Sequence, residues 1–242
     1  MEKVTINAEV DMSRQEREIF RTLRTNIEFT GVENRIIAVT SCMPNDGKST
    51  VAFNMACIFA ESGKKTLLMD ADLRKSVLLK RLRVSGNMKG LSHLLSGQAS
   101  AADAIYSTNI EKLYLMPTGV FPSNPTELLG NERFQQLIAA LRDNFEYVIV
   151  DTPPVGNVID AAVVAKQCDG TILVLAADRI SKGDAIAVTE QMRAANENIL
   201  GVVLNKVDLK SSGYYGKYGN YRNRYDKYSY RKEVEDERVL RK

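Results

Sequence analysis

Over residues 35–205 the apolar positions gather into six short blocks: "RIIAVTS" (35–41), "KTLLMDA" (65–71), "KLYLMPT" (112–118), "YVIVDTP" (147–153), "GTILVLA" (170–176) and "ILGVVLN" (199–205). Runs of this length, several of them rich in β-branched residues, predict strands buried on both faces. The chain between the blocks is amphipathic, and Ser49 to Glu61, Glu127 to Arg142 and Lys182 to Ala195 predict helices. Strands alternating with helices predict an α/β fold, a mostly parallel sheet covered by helices on both faces. In such sheets ligands bind beyond the carboxyl ends of the strands, which is where chemistry is to be sought.

Ahead of the first block stands "SRQEREIFRTLRTNIEF" (13–29). Ser13 and Glu16 have capping-box spacing, and Ile19, Phe20, Leu23 and Ile27 share one helical stripe. Glu18, Arg21 and Arg24 occupy the more polar arc, where composition alone describes a solvated face. The pattern divides the chain into an N-terminal segment (1–30) packed on the core, a nucleotide-binding domain (31–209) and a tail (210–242).

The loop after the first strand is "SCMPNDGKST", and its GKST opens the next helix. Backbone N–H groups of a tight loop and of a helix start converge there, and an anion satisfies them. Gly47 lets the backbone approach phosphates, Lys48 reaches the β- and γ-phosphates, and the Ser49 hydroxyl holds Mg²⁺. The match to GxxxxGK[ST] is partial, because Cys42 stands at the first glycine. The expected nucleotide-binding residues are Asn45, Asp46, Gly47, Lys48, Ser49 and Thr50.

The second strand ends in "LLMDADLRK", carrying Asp70, Asp72 and Arg74, and the fourth ends in Asp151. Three carboxylates at strand ends beside a phosphate loop suit a Mg²⁺-triphosphate, because that metal takes oxygen ligands and waters that carboxylates orient. A spare carboxylate accepts a proton. A strand-end aspartate capping the following helix is common for any one of these, and it is a weaker explanation of all three together.

Charge and aromatic content change the picture only at the end of the chain. Seven of the ten tyrosines lie in "YYGKYGNYRNRYDKYSY": Tyr214, Tyr215, Tyr218, Tyr221, Tyr225, Tyr228 and Tyr230. From Lys210 onward there are ten Lys or Arg against five Asp or Glu, whereas the preceding 209 residues hold 23 against 25. Gly213, Gly216 and Gly219 each cost a helix up to about 1 kcal/mol, so a flexible tail is expected. Rings interleaved with cations also describe a single-stranded nucleic-acid binder, but that reading leaves the phenol hydroxyls unused. No nucleic-acid partner is expected.

The remaining composition mainly excludes. Cys42, Cys57 and Cys168 are widely separated and lack CxxC spacing, so neither a disulfide framework nor a zinc site is indicated. The single histidine, His93, is expected on a helix surface rather than in a catalytic triad. The first fifteen residues lack an apolar signal core and the longest apolar runs are too short to cross a bilayer, which places the chain in the cytoplasm.

Taken together, "SCMPNDGKST", "LLMDADLR", "VIVDTPP", the terminal tyrosines and "EIFRTLRTNI" resemble the bacterial tyrosine kinases, in the stand-alone form found with capsular and exopolysaccharide synthesis systems. The likeness covers nearly the whole chain. It implies ATP-dependent autophosphorylation on the terminal tyrosines and ring-like self-association through an ExxRxxR segment, here Glu18, Arg21 and Arg24. It also implies activation by the cytoplasmic end of a separate transmembrane adaptor of the polysaccharide co-polymerase type, recruitment to the inner membrane face, and a cognate protein-tyrosine phosphatase.

Two rival phosphate-loop classes are weaker. "LNKVD" presents Asn205, Lys206 and Asp208 in the NKxD pattern by which GTPases read guanine, which adds Asn205 to the nucleotide set. Yet Asp151 is followed by Thr-Pro-Pro rather than by the glycine of DxxG. Partition and cell-division ATPases carry a second lysine where this loop has Met43, and an assembly ATPase whose basic tail binds nucleic acid or anionic lipid is the alternative function. The expected kinase step has Lys48 and loop N–H groups on the phosphates, with Ser49, Asp72 and Asp151 organising the metal. Asp70 would orient or deprotonate the phenol, whose ordinary pKa is about 10.

Overall fold

The computed structural model describes residues 2–7, 12–156 and 158–207, so the tyrosine cluster lies outside the described residues. Met1–Asn205 forms one compact unit. Its strands are β1 (Ile36–Ser41), β2 (Thr66–Asp70), β3 (Tyr106–Ser107), β4 (Leu113–Met116), β5 (Tyr147–Asp151), β6 (Gly170–Ala176) and β7 (Ile199–Asn205). They make a seven-stranded sheet in the order β3-β4-β2-β5-β1-β6-β7. Every neighbouring pair is parallel except β3 with β4. All six predicted strands are present, each trimmed at one or both ends except β6 and β7. The short antiparallel β3 is an addition.

Period-two alternation then sorts the core into two layers. Ile36, Ala38, Leu67, Met69, Val148 and Val150 face one side, and Ile37, Val39, Leu68 and Ile149 face the other. The first layer is closed by α6 (Pro125–Leu129), α7 (Glu132–Asn144), α8 (Asp160–Ala165) and α9 (Lys182–Ala195). The second is closed by α2 (Lys48–Glu61), with α1 (Arg14–Phe29) and α3 (Leu78–Arg81) beside it. Phe59 of α2 stacks on Tyr147 with ring centroids 4.0 Å apart, a contact worth about 1 kcal/mol beyond its buried area. The short α4 (Leu91–Leu95) and α5 (Ala101–Ala104) fill the β2-to-β4 connection. His93 lies on α4, where its Nδ1 accepts the Gly90 N–H at 3.2 Å.

Two helical expectations needed adjustment. The stretch 127–142 is two helices, since α6 ends at Gly130 and the Asn131 side chain caps α7 by accepting the Phe134 N–H. On α1 the capping box of Ser13 and Glu16 is formed, and Ile27 is buried with Phe20 and Leu23 packed beside it. Ile19 is 56% exposed. Because α1 leans on α2, its buried seam runs through positions 20, 23 and 27, and a residue one place back is turned out.

No helix among the described residues is long and apolar enough to cross a membrane.

Candidate active site

The carboxyl ends of β1, β2 and β5 lie side by side, so the loops leaving them share one rim. The β1 loop turns into α2 at Gly47, whose φ of 102° is the left-handed region that glycine enters without strain. No side chain caps α2, so its first-turn N–H groups face the loop's hollow. Asn205, at the end of β7, donates to the Asp46 carbonyl at 2.8 Å, and a Cβ on residue 47 would sit 2.1 Å from the Asn205 Nδ2. Asp46 is buried, and its carboxylate accepts the Met43 N–H at 2.9 Å. Asp46 and Asn205 therefore hold the loop's shape, while Asn45, Gly47, Lys48 and Ser49 line the cleft. Thr50 accepts a hydrogen bond from Arg81 at 2.7 Å.

The cleft holds ≈ 290 Å³ and is walled on its far side by Val77, Pro153, Pro154 and Val158. At its floor the Lys48 ammonium lies 3.3 Å from Asp72, 3.2 Å from Asp151 and 3.3 Å from the Ser49 hydroxyl. Asp70 and Asp151 are register partners on adjacent strands. Asp70 accepts the Asp72 N–H at 3.2 Å and the Ser76 hydroxyl. It is fully enclosed behind Asp72, which lines the cleft.

Two carboxylates thus pair with one cation and a third lies buried behind them, and the proton affinities of Asp70 and Asp151 show the crowding. Burial and then the charge of Asp151 push Asp70 up to about 7. Burial also raises Asp151, against the opposing pull of Lys48. For Lys48, burial works to lower its pKa, but Asp151, Asp72 and Asp70 outweigh it and the ammonium is held more firmly. Among the described residues no three His, Cys, Asp or Glu side chains stand ready-made around a metal position. The Lys48 ammonium occupies the place between Asp72 and Asp151 where a second positive charge would be welcome.

One part of this arrangement was not among the expected site residues. Arg74 lines the cleft mouth and forms a two-point bond to the buried Asp160, at 2.6 and 3.1 Å. Thr126 bonds both partners, so the loop after β2 is pinned to α6 and α8. Arg74 stood beside the acidic motif in the sequence, but nothing there signalled a partner 86 residues away.

Within the single chain the residues expected to carry self-association have different partners. Glu18 and Arg21 form an exposed pair at 2.6 Å. Arg24 instead turns toward α2, reaching the Ile58 carbonyl at 3.4 Å, with Glu28 at 3.7 Å.

Residues 34–206 match the family described as "AAA domain". Over 219 residues the chain is 43% identical to a tyrosine-protein kinase, CpsD, of Streptococcus agalactiae, covering 90% of this chain and 95% of the relative. The chain belongs to the bacterial tyrosine-protein kinases. The kinase domain of the Escherichia coli tyrosine kinase Etk superposes with a TM-score of 0.76 at 34% identity, covering 81% of this chain and 78% of that one. The septum site-determining protein MinD of Pyrococcus horikoshii, complexed with Mg-ADP, gives 0.63 at 28% identity, over 72% of this chain and 71% of that one. The phosphate-loop fold is shared with both, and the higher identity and fuller coverage lie with the kinases.

Proposed function

We propose that this tyrosine kinase uses Mg²⁺-ATP to phosphorylate Tyr214, Tyr215, Tyr218, Tyr221, Tyr225, Tyr228 and Tyr230 of a neighbouring copy within a ring-like homo-oligomer. Through that reaction it regulates capsular or exopolysaccharide synthesis and export. The observation that carries this reading is the convergence of Lys48, Ser49, Asp72 and Asp151 on one floor beneath an open helix start.

Lys48 and the α2 N–H groups hold the phosphates. Ser49, Asp72 and Asp151 offer hard oxygens suited to Mg²⁺, and the buried acid excess favours an added cation. When bound, Mg²⁺ supplies charge neutralisation on the β- and γ-phosphates. The acceptor phenol oxygen bonds to the γ-phosphorus, the bond to the bridging oxygen breaks, and ADP leaves. Asp70, whose raised proton affinity suits it to accept near neutral pH, is the proposed sink for the phenol proton, which has to reach it past Asp72 because Asp70 does not itself line the cleft. Asp72 lines the cleft and Asp70 lies behind it, so Asp70→Asn should keep nucleotide binding while losing transfer, and loss of both would reassign Asp70 to the metal.

Each phosphate adds about −1.5 to −2 charges, enough in sum to reverse the sign of the basic tail and loosen self-association. The cytoplasmic segment of a transmembrane adaptor would recruit the enzyme to the inner membrane face and activate it, and a tyrosine phosphatase would reset it. Glu18 and Arg21 are the proposed contacts between copies, and reversing both charges should lower the mass seen by light scattering.

The decisive test is mass spectrometry of the full chain incubated with Mg²⁺-ATP, beside a Lys48→Met control. Phosphate on the cluster only when Lys48 is intact supports the reading. ATP consumed with the tyrosines unmodified, even with an adaptor segment present, would transfer the chain to the assembly-ATPase alternative.

A further inference from the structure

The stretch after Asp72 is lopsided in charge. "RKSVLLKRLRVSGNMK" (74–89) contains six cations and no carboxylate, and all six side chains are exposed. Arg74 is bound to Asp160, and Lys89 faces the charge of Asp103. Lys75, Lys80, Arg81 and Arg83 remain, and none forms an ion pair with a carboxylate among the described residues. Lys75 and Arg81 line the cleft. Lys80 and Arg83 lie outside it: Lys80 precedes Arg81 on α3, and Arg83 stands two residues beyond the end of that helix. Nothing in the kinase step uses them.

The densest acidic run in the sequence is "EVEDE" (233–237), four carboxylates in five residues, beginning three residues after Tyr230. The tyrosine stretch itself carries Lys217, Arg222, Arg224 and Lys227 against Asp226 alone. Such a segment is repelled by a basic cleft mouth, so an acceptor needs an attractive element next to its tyrosines.

We infer that the face formed by Lys75, Lys80, Arg81 and Arg83 is the docking surface for residues 233–237 of a second copy, holding them while that copy's tyrosines enter the cleft. This rests on the reading above that transfer runs between copies. The reach is adequate: at roughly 3.3–3.6 Å per extended residue, Tyr230 lies within about 10 Å of the anchored block and Tyr214 within about 65 Å. Anchoring converts repeated encounters into an intramolecular search, so one docking event serves several tyrosines.

The test mixes unlabelled wild-type enzyme as donor with heavy-isotope-labelled Lys48→Met protein as acceptor, and reads phosphate on the labelled tail by mass spectrometry. Neutralising the acceptor by Glu233→Gln, Glu235→Gln, Asp236→Asn and Glu237→Gln should slow labelling about tenfold at low ionic strength, with the difference shrinking as salt rises. A donor carrying Lys80→Glu and Arg83→Glu should be equally slow on the wild-type acceptor with its nucleotide affinity unchanged. An acceptor whose four acids are replaced by lysine should restore that donor's rate. Labelling of the neutralised acceptor at the wild-type rate, or failure of the charge swap, overturns the inference while leaving transfer between copies intact. A wild-type acceptor that receives no phosphate removes the trans reading itself, and this inference with it.

Discussion

The two ends of the central sheet both gather acid, and they treat it in opposite ways. At the amino end Asp169 accepts the backbone N–H groups of Arg35 and Ile36, at 3.0 and 2.8 Å, and a two-point bond from Arg142. Its capacity is filled by partners that are always present. At the carboxyl end Asp72 and Asp151 pair with Lys48 and Asp70 is buried behind them, and burial raises the proton affinity of Asp70 and Asp151. One end is finished as folded. On the proposed reading the other is completed by a ligand that brings positive charge, and binding capacity is stored there at a cost in stability.

The comparison can be broken most sharply at Lys48. Lys48→Met should remove phosphate transfer to below detection in the mass assay while the chain still folds, because the acids left behind can neutralise by taking up protons. Asp169→Ala should do the reverse: chemical denaturation should show a loss of about 2 kcal/mol, since the Ile36 N–H and Arg142 lose their acceptor while the Arg35 N–H keeps the Glu33 carbonyl, with the nucleotide site still competent. Equal damage to both ends from either change would deny that they are independent.

Asp70→Asn tests the stored cost. In the folded chain the Asp70 pKa is raised, so as pH climbs from the ordinary carboxylate value of about 3.9 toward 7 the unfolded chain releases its proton first and stability falls. The variant cannot ionise. Nucleotide-free Asp70→Asn should therefore melt above wild-type at pH 8 and equal it near pH 4, and a variant that melts lower throughout would mean Asp70 is structural. In the wild-type enzyme transfer should rise with pH through about 7. The smallest effect belongs to Glu146, at the amino end, which accepts the Lys65 N–H at 2.8 Å and pairs with Lys64 on the surface. Glu146→Gln should change stability by less than about 0.5 kcal/mol.

Much of this contrast was legible in the residue order. Buried parallel strands announce themselves as apolar blocks, and a Gly-Lys-Ser between a strand and a helix announces an anion site, because both signals are local. The grouping of Asp70, Asp72 and Asp151 follows from parallel strands, whose carboxyl ends share a rim. Partnerships set by long-range packing were not legible. Arg74 with Asp160, and Asn205 with the Asp46 carbonyl, join residues 86 and 159 positions apart. Nor was the division of one helix into α6 and α7 foreseen, because Gly130 and Asn131 fit a helix interior at modest cost until the cap is seen. Ile19 was assigned to the buried stripe of α1 because periodicity gives the width of an apolar face but not how much of it a neighbour covers.

The contact between Asn205 and the loop at Gly47 carries a consequence for how the protein is made. The phosphate loop is among the first parts of the core to be synthesised, and the residue that braces it ends β7, the last strand among the described residues. A chain still on the ribosome, lacking β7, has the loop sequence without its brace. The loop is therefore encoded early but gains this brace only once β7 has joined the sheet.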